Sequence, residues 1–140
     1  GFTNTDFCSP LTPNGIQNNT YFVNAISSNQ SWGDMHVNTT DSFNSIVNSR
    51  KGLGAITYFE PNTGLNYVYS LGCKPVNSPT YPPSQAEYDL YSSKYVAYMH
   101  HQGSAAVLVF GFPLSYMVQA DVASALPELI SQLLDPIVKK

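Results

Sequence analysis

Three histidines and nine side-chain carboxylates hold whatever acid–base chemistry this 140-residue chain has. His100 and His101 are adjacent and lead into Gly103 and Ser104, so a serine nucleophile with His101 as its base can be drawn. The G-x-S-x-G turn that presents such a hydroxyl is absent, and spacing places no acidic third member. His36 and Asp34 could join one of the paired histidines around zinc, since two imidazoles and a carboxylate suffice as ligands. Read as helical neighbours, His100 and His101 point about 100° apart and cannot share one ion. The simpler expectation is that they close a helix, where an imidazolium gains from the dipole and bonds the last carbonyls. Asp34, Glu60, Glu87, Asp89 and Asp121 are further acid–base candidates, and none forms a recognisable pair on one element except Glu87 and Asp89, which point to different sides of their helix. Gly52, Gly54, Gly64 and Gly72 fit neither a dinucleotide fingerprint nor a phosphate loop. The expectation is therefore no catalytic residue, no metal and no cofactor.

Tyrosine is the conspicuous residue type, with 10 in the chain. Tyr88, Tyr91, Tyr95 and Tyr98 recur at helical spacing, which puts them on one stripe of a helix. Such rings either cover a sheet from within or face outward as an adhesive surface, because tyrosine supplies contact area at low entropic cost. Together with Tyr67 and Tyr69 they form the expected binding set, and Tyr58 and Tyr81 could extend it.

Composition bounds the partners. The charged fraction is 11%, against roughly 25% in ordinary soluble domains, so uncharged polar side chains carry the solubility. With a net charge of −3 and only six Lys plus Arg, nothing can neutralise a run of phosphates, and nucleic acid is a poor partner. The longest apolar run, Ala105 to Leu114, is broken by Gly111 and Pro113 and falls short of the roughly 18 residues a membrane span needs. No leader is legible, so a secreted chain is expected here in its mature form or in a trimmed one.

The two cysteines, Cys8 and Cys73, form neither a zinc nor a thioredoxin pattern. Joined, they would tie an irregular amino-terminal arm, residues 1–17, to the sheet and restrict the unfolded chain by about 4 kcal/mol. Asn18, Asn29 and Asn38 begin acceptor sequons for glycosylation, all within one polar stretch. Low charge, a disulfide and the sequons together point to an extracellular, secreted glycoprotein.

The elements that must position these residues follow from caps and periodicity. Tyr21 to Ile26 is a short strand or helical turn, and Trp32 to Val37 alternates as a strand. Thr40 caps a helix over 41–51 that Gly52 closes. Residues 55–60 and 65–71 read as a hairpin around Pro61-Asn62-Thr63-Gly64. Ser84 and Glu87 form a capping box that opens a helix running to about His101. Ala105 to Phe112, continuously apolar, suits a strand in mid-sheet. From Gln119 an amphipathic helix carries Val122, Leu126, Leu129, Ile130, Leu133 and Ile137 on one side, with a kink or the start of a second helix expected at Pro127. The sum is a single α+β domain over 1–140: a mainly antiparallel sheet of about three to five strands with two or three helices packed on it, and one disulfide.

On these grounds the leading functional expectation is a secreted, non-enzymatic recognition domain that contacts another protein or a glycan. A carrier of a small apolar ligand, enclosed by the terminal helix and the buried strand, is the first alternative. A small secreted hydrolase using His100 or His101 is the second.

Overall fold

A computed structural model describes residues 5–7, 21–38, 56–59, 64–79, 82–92 and 94–138. The helix expected over 41–51, the turn residues 61–63, Cys8, Asn18, Glu60 and Tyr81 lie outside the described residues. The strands are β1 (Thr5–Phe7), β2 (Phe22–Ser27), β3 (Met35–His36), β4 (Thr57–Phe59), β5 (Asn66–Cys73), β6 (Tyr95–Gln102) and β7 (Ala105–Phe110). The helices are α1 (Gln85–Ser92) and α2 (Gln119–Val138), with a 3-10 turn at Leu114–Tyr116 before α2. All seven strands form one sheet, ordered β1-β4-β6-β5-β2-β3, with β7 paired to β6 as well. Every pairing is antiparallel. Among the described residues no helix is long and apolar enough to cross a membrane.

The centre of this sheet is β6. Val96, Ala97, Tyr98 and Met99 are each at most 3% exposed, a continuous buried run that requires cover on both faces. This corrects the expectation of one helix from Ser84 to His101. The capping box does form, with Ser84 N–H donating to Glu87 Oε1 and Glu87 N–H to Ser84 Oγ, both at 3.1 Å. The helix nevertheless stops at Ser92, because four consecutive buried residues cannot all lie on one side of a helix.

The hairpin expected around residues 61–64 is also corrected. β4 and β5 do not pair with each other; each pairs with β6, which lies between them. One edge of β6 is paired to β5, and its other edge is shared by β7 and β4. The handover falls at Gly111, whose N–H donates to the Val96 carbonyl at 2.7 Å while its own carbonyl accepts from Thr57 N–H at 2.8 Å. A Cβ at Gly111 would overlap the Thr57 carbonyl oxygen, so only glycine lets the two strands meet there. The strand expected in mid-sheet, β7, pairs among the described residues on one side only and leaves Ala105 and Val107 exposed. A two-residue turn folds it back on β6, with Gly103 at φ 61° and Gln102 opposite Ala105.

At the amino terminus, residues 5–7 are an added strand pairing with β4, so that part of the arm is not irregular. The sheet thus exceeds the five strands expected, because Thr5–Phe7 gains its pairing from the distant β4 and Tyr95–Gln102 is strand where helix was expected. The expected disulfide is likewise not found: Cys73 is a free, half-buried thiol.

α2 packs on one face of the sheet through Val122, Ala125 and Leu129, each at most 8% exposed, with Leu126 and Leu133 partly buried beside them. Burying a leucine such as Leu129 in full stabilises the fold by roughly 1.5–3 kcal/mol. Ile130 is 45% exposed and turned off this stripe. The helix continues through Pro127 as one element, where Pro127 and Ala123 are both exposed and water can serve the Ala123 carbonyl that proline leaves without a donor.

Candidate functional site

Register places the tyrosines. His101, on β6, has Nε2 2.8 Å from the Leu133 carbonyl of α2, so its side chain lies on the helix-covered face, and alternation sends Tyr98 and His100 to the opposite one. Register shifts at Tyr67/Tyr69 and Tyr69/Ser70 set Tyr67 opposite Tyr98 and Tyr95 opposite Ser70. Bulges of this kind re-aim side chains, and here they bring Tyr67, Tyr95 and Tyr98 to the face away from α2. The Tyr67 and Tyr95 rings stack at 4.2 Å between centroids and 20° between planes. Tyr98 meets Tyr67 edge-on at 6.4 Å, and Phe59 stands at 88° to Tyr98 at 5.0 Å. Tyr67 and Tyr95 are half-buried, whereas Phe59 and Tyr98 are 3% exposed. Burial, with Tyr67 adding to it, raises the Tyr98 phenol above its usual range.

The four tyrosines expected on one helical stripe are therefore divided. Tyr88 and Tyr91 belong to α1, and Tyr95 and Tyr98 to β6. Tyr91 packs inward against Tyr21 and Tyr58, at 5.9 and 6.3 Å, and the Lys94 ammonium sits 5.1 Å from the Tyr58 ring centre. Tyr88 is half-buried on the same helix. Tyr69 is fully buried against α2's side of the sheet, near Phe110, and its hydroxyl donates to the Gly33 carbonyl at 2.8 Å. Burial first, then the carboxylates of Asp34 and Asp121, push its phenol upward. Tyr69 is thus a core residue, and Tyr67 and Tyr95 are the members of the expected set that meet solvent as a pair.

None of the histidines closes a helix. His100 Nδ1 lies 3.0 Å from the Gly64 carbonyl, and His101 is bound to Leu133 as above, so each imidazole serves a backbone acceptor. Ser104 forms the β6–β7 turn with Gly103. Glu87 is committed to the capping box, and Asp89 accepts from Gln85 Nε2 at 2.9 Å. Asp34 accepts from the N–H and hydroxyl of Ser27 at 2.8 and 3.0 Å. Among the described residues no cluster of three His, Cys, Asp or Glu could hold a metal ion.

One acid–base pair spans residues far apart in sequence. Asp121, in the first turn of α2, accepts at one carboxylate oxygen from His36 Nδ1 at 3.0 Å and from the His36 backbone N–H at 2.9 Å. The His36 side chain is 60% exposed and that of Asp121 28%, so the carboxylate orients the ring and Nε2 is left outward. His36 and Asp121 were each identifiable as candidates, but nothing local joins positions 85 residues apart.

A second feature follows from the Gly111 handover. An open cleft of about 530 Å³, lined by Thr57, Phe59, Val109, Phe110, Gly111, Phe112 and Pro113, lies where β7 ends and β4 begins. Phe59 connects it to the tyrosine cluster.

Of the sequons, Asn29 lies on an exposed turn with its Oδ1 accepting from Ser31 N–H and Oγ at 2.9 and 2.8 Å, and Asn38 is half-buried. Burial, reinforced by the Glu87 carboxylate, lifts the Cys73 thiol to about 11. Comparison of the chain with known proteins gives no match to a family model, to a curated protein or to a solved structure.

Proposed function

We propose that this chain is a non-catalytic recognition domain of the extracellular space, engaging a protein or a glycan through the tyrosine-rich face of its sheet. The observation that carries this reading is the stacked, half-exposed Tyr67–Tyr95 pair, held from beneath by Tyr98 and Phe59. Rings fixed by packing lose little entropy when a partner covers them, which is the property binding surfaces draw from tyrosine. Sparse charge and the exposed Asn29 sequon support the extracellular placement. The test is a glycan array and a pull-down from extracellular material, run with the native chain and with Tyr67→Ala/Tyr95→Ala. Binding that falls by about tenfold or more in the double variant supports the reading; silence of the native chain in both assays, with turnover of an ester or sugar, overturns it.

Each alternative has one supporting feature. For a small hydrolase it is the oriented His36–Asp121 pair rather than His100 or His101, and His36→Ala should then abolish turnover. For a carrier of a small apolar ligand it is the aromatic-walled cleft beside Phe59, and native mass spectrometry should then reveal a co-purified lipid.

A further inference from the structure

Beside the tyrosines the sheet carries a second concave feature. A small pocket of about 130 Å³, lined by His100, Gln102, Ala105, Ala106 and Val107, opens at the turn end of the β6–β7 hairpin. Register puts it on the tyrosine side of the sheet: His100 and Gln102 share a face of β6 with Tyr98, and Val107 and Ala105 stand opposite them on β7. Tyr67 is opposite Tyr98, which makes His100 its diagonal neighbour, roughly 7–8 Å away along the backbone, so one extended ligand reaches both.

The polar groups of the pocket are of a defined kind. His100 Nδ1 lies 3.0 Å from the Gly64 carbonyl, an oxygen that accepts and never donates, so Nδ1 carries the hydrogen and Nε2 of the neutral ring is an acceptor. The exposed Gln102 adds an amide with two donor hydrogens and an acceptor oxygen. Ala105 and Val107 supply apolar wall. The strands themselves, NYVYSLGC, YVAYMHHQ and AAVLVF for β5, β6 and β7, hold no carboxylate, lysine or arginine. Lys94, next to Tyr95 in sequence, has its ammonium turned to the Tyr58 ring. A phosphorylated, sulfated or sialylated partner therefore finds no cation on these strands, and an arginine anchor finds no carboxylate. At about 130 Å³ the pocket also suits a hydroxyl or hydroxymethyl group better than the large side chains that dominate protein interfaces. A sugar hydroxyl donates and accepts at once, as His100 Nε2 and the Gln102 amide together require, and a sugar ring has C–H groups to lay against aromatic carbon.

Resting on the recognition reading above, we propose that the partner is a neutral oligosaccharide: one ring packs against the Tyr67–Tyr95 pair, and a hydroxyl or hydroxymethyl group of a neighbouring ring bonds His100 Nε2 and the Gln102 amide. Calorimetric titration of the full chain with neutral hexasaccharides of glucose, mannose, xylose, galactose and N-acetylglucosamine tests this, with a sulfated hexasaccharide as the charged counterpart. At least one neutral probe should bind, about tenfold or more tighter than its own monosaccharide because it spans both features. Its affinity should change by less than about twofold when salt is raised to about 0.5 M, as no ion pair is involved. Gln102→Ala and Val107→Asp, both at exposed positions, should each weaken binding by about fivefold or more while far-ultraviolet circular dichroism stays native. Val23→Asp, exposed on β2, should bind as the native chain does. Should one pocket variant fail to fold, the other decides. Silence across the neutral panel while a protein is captured through Tyr67 and Tyr95 overturns the oligosaccharide and leaves the recognition reading standing; silence toward sugars and proteins alike removes both. Preference for the sulfated probe, or sugar binding indifferent to Gln102→Ala and Val107→Asp, likewise overturns the proposal.

Discussion

The two strands of one hairpin, β6 and β7, reverse what their compositions suggest. β6 carries tyrosines, two histidines and a glutamine, yet its Val96–Met99 segment is the most deeply buried stretch of the sheet. β7 is apolar throughout, yet Val107 is 45% exposed and, among the described residues, β6 is the strand's one partner. Depth in a sheet is set by how many neighbours a strand acquires, and β6 acquires β4, β5 and β7. Its histidines are accommodated because each finds a partner: His101 at Leu133 and His100 at Gly64.

The widest separation between the two strands should appear on adding a charge. Val96→Asp places an unpaired carboxylate at a position with no exposure and should cost about 3–5 kcal/mol or prevent folding, whereas Val107→Asp should stay within about 0.5 kcal/mol. Urea unfolding of both variants measures the difference. Similar losses would mean that β7 is buried as deeply as β6, and the comparison would fail.

A smaller but still large effect belongs to Gly111, where β4 replaces β7 at the edge of β6. Gly111→Ala drives a methyl group into the Thr57 backbone and should destabilise by about 2–3 kcal/mol, with little relief, because the obstacle is main chain. Crystallography or exchange data on the variant should show β4 displaced while β7 keeps its register.

How much of this was legible in the sequence divides along the same line. The Ser84–Glu87 box and the Val122/Leu129 stripe are set by residues a few positions apart, and each was readable. The strand character of Tyr95–Gln102 was not, since Tyr88, Tyr91, Tyr95 and Tyr98 share a helical spacing that tertiary burial overrides. Nor was the separation of β4 from β5, because insertion of β6 between them depends on a segment some thirty residues downstream of β5's start. For the candidate site, Tyr67 and Tyr69 stood together in the expected binding set, and a register shift between them, created by pairing with β6, leaves the first ring half-buried and sends the second into the core. The His36–Asp121 pair escaped because its members lie 85 residues apart.

Within β6 itself, His101 and His100 offer a finer contrast. His101→Ala removes the side-chain bond to the Leu133 carbonyl at the helix–sheet boundary and should cost about 1 kcal/mol; His100→Ala, on the opposite face, where the ring meets a turn carbonyl, should cost about half of that. Equal losses would remove the distinction between the two faces of the strand.

The smallest effect is expected where α1 is fastened before β6 begins. Tyr21, 7% exposed, bonds the Glu87 carboxylate and packs on Tyr91. Burial, and after it the bond and charge of Glu87, lift its phenol from 10 to about 12. A raised folded-state value means that the native protein holds this proton more tightly than the unfolded chain. Its stabilising contribution is therefore complete below pH 10 and is lost as pH climbs from about 10 through 12. Tyr21→Phe removes the bond, costing about 1 kcal/mol at neutral pH, and removes the titration with it. Its stability should then fall less steeply than that of the native chain across the alkaline range, in urea titrations run at successive pH values. Identical alkaline slopes would show that Tyr21 ionises as freely as an exposed phenol and that α1 is not held at this point.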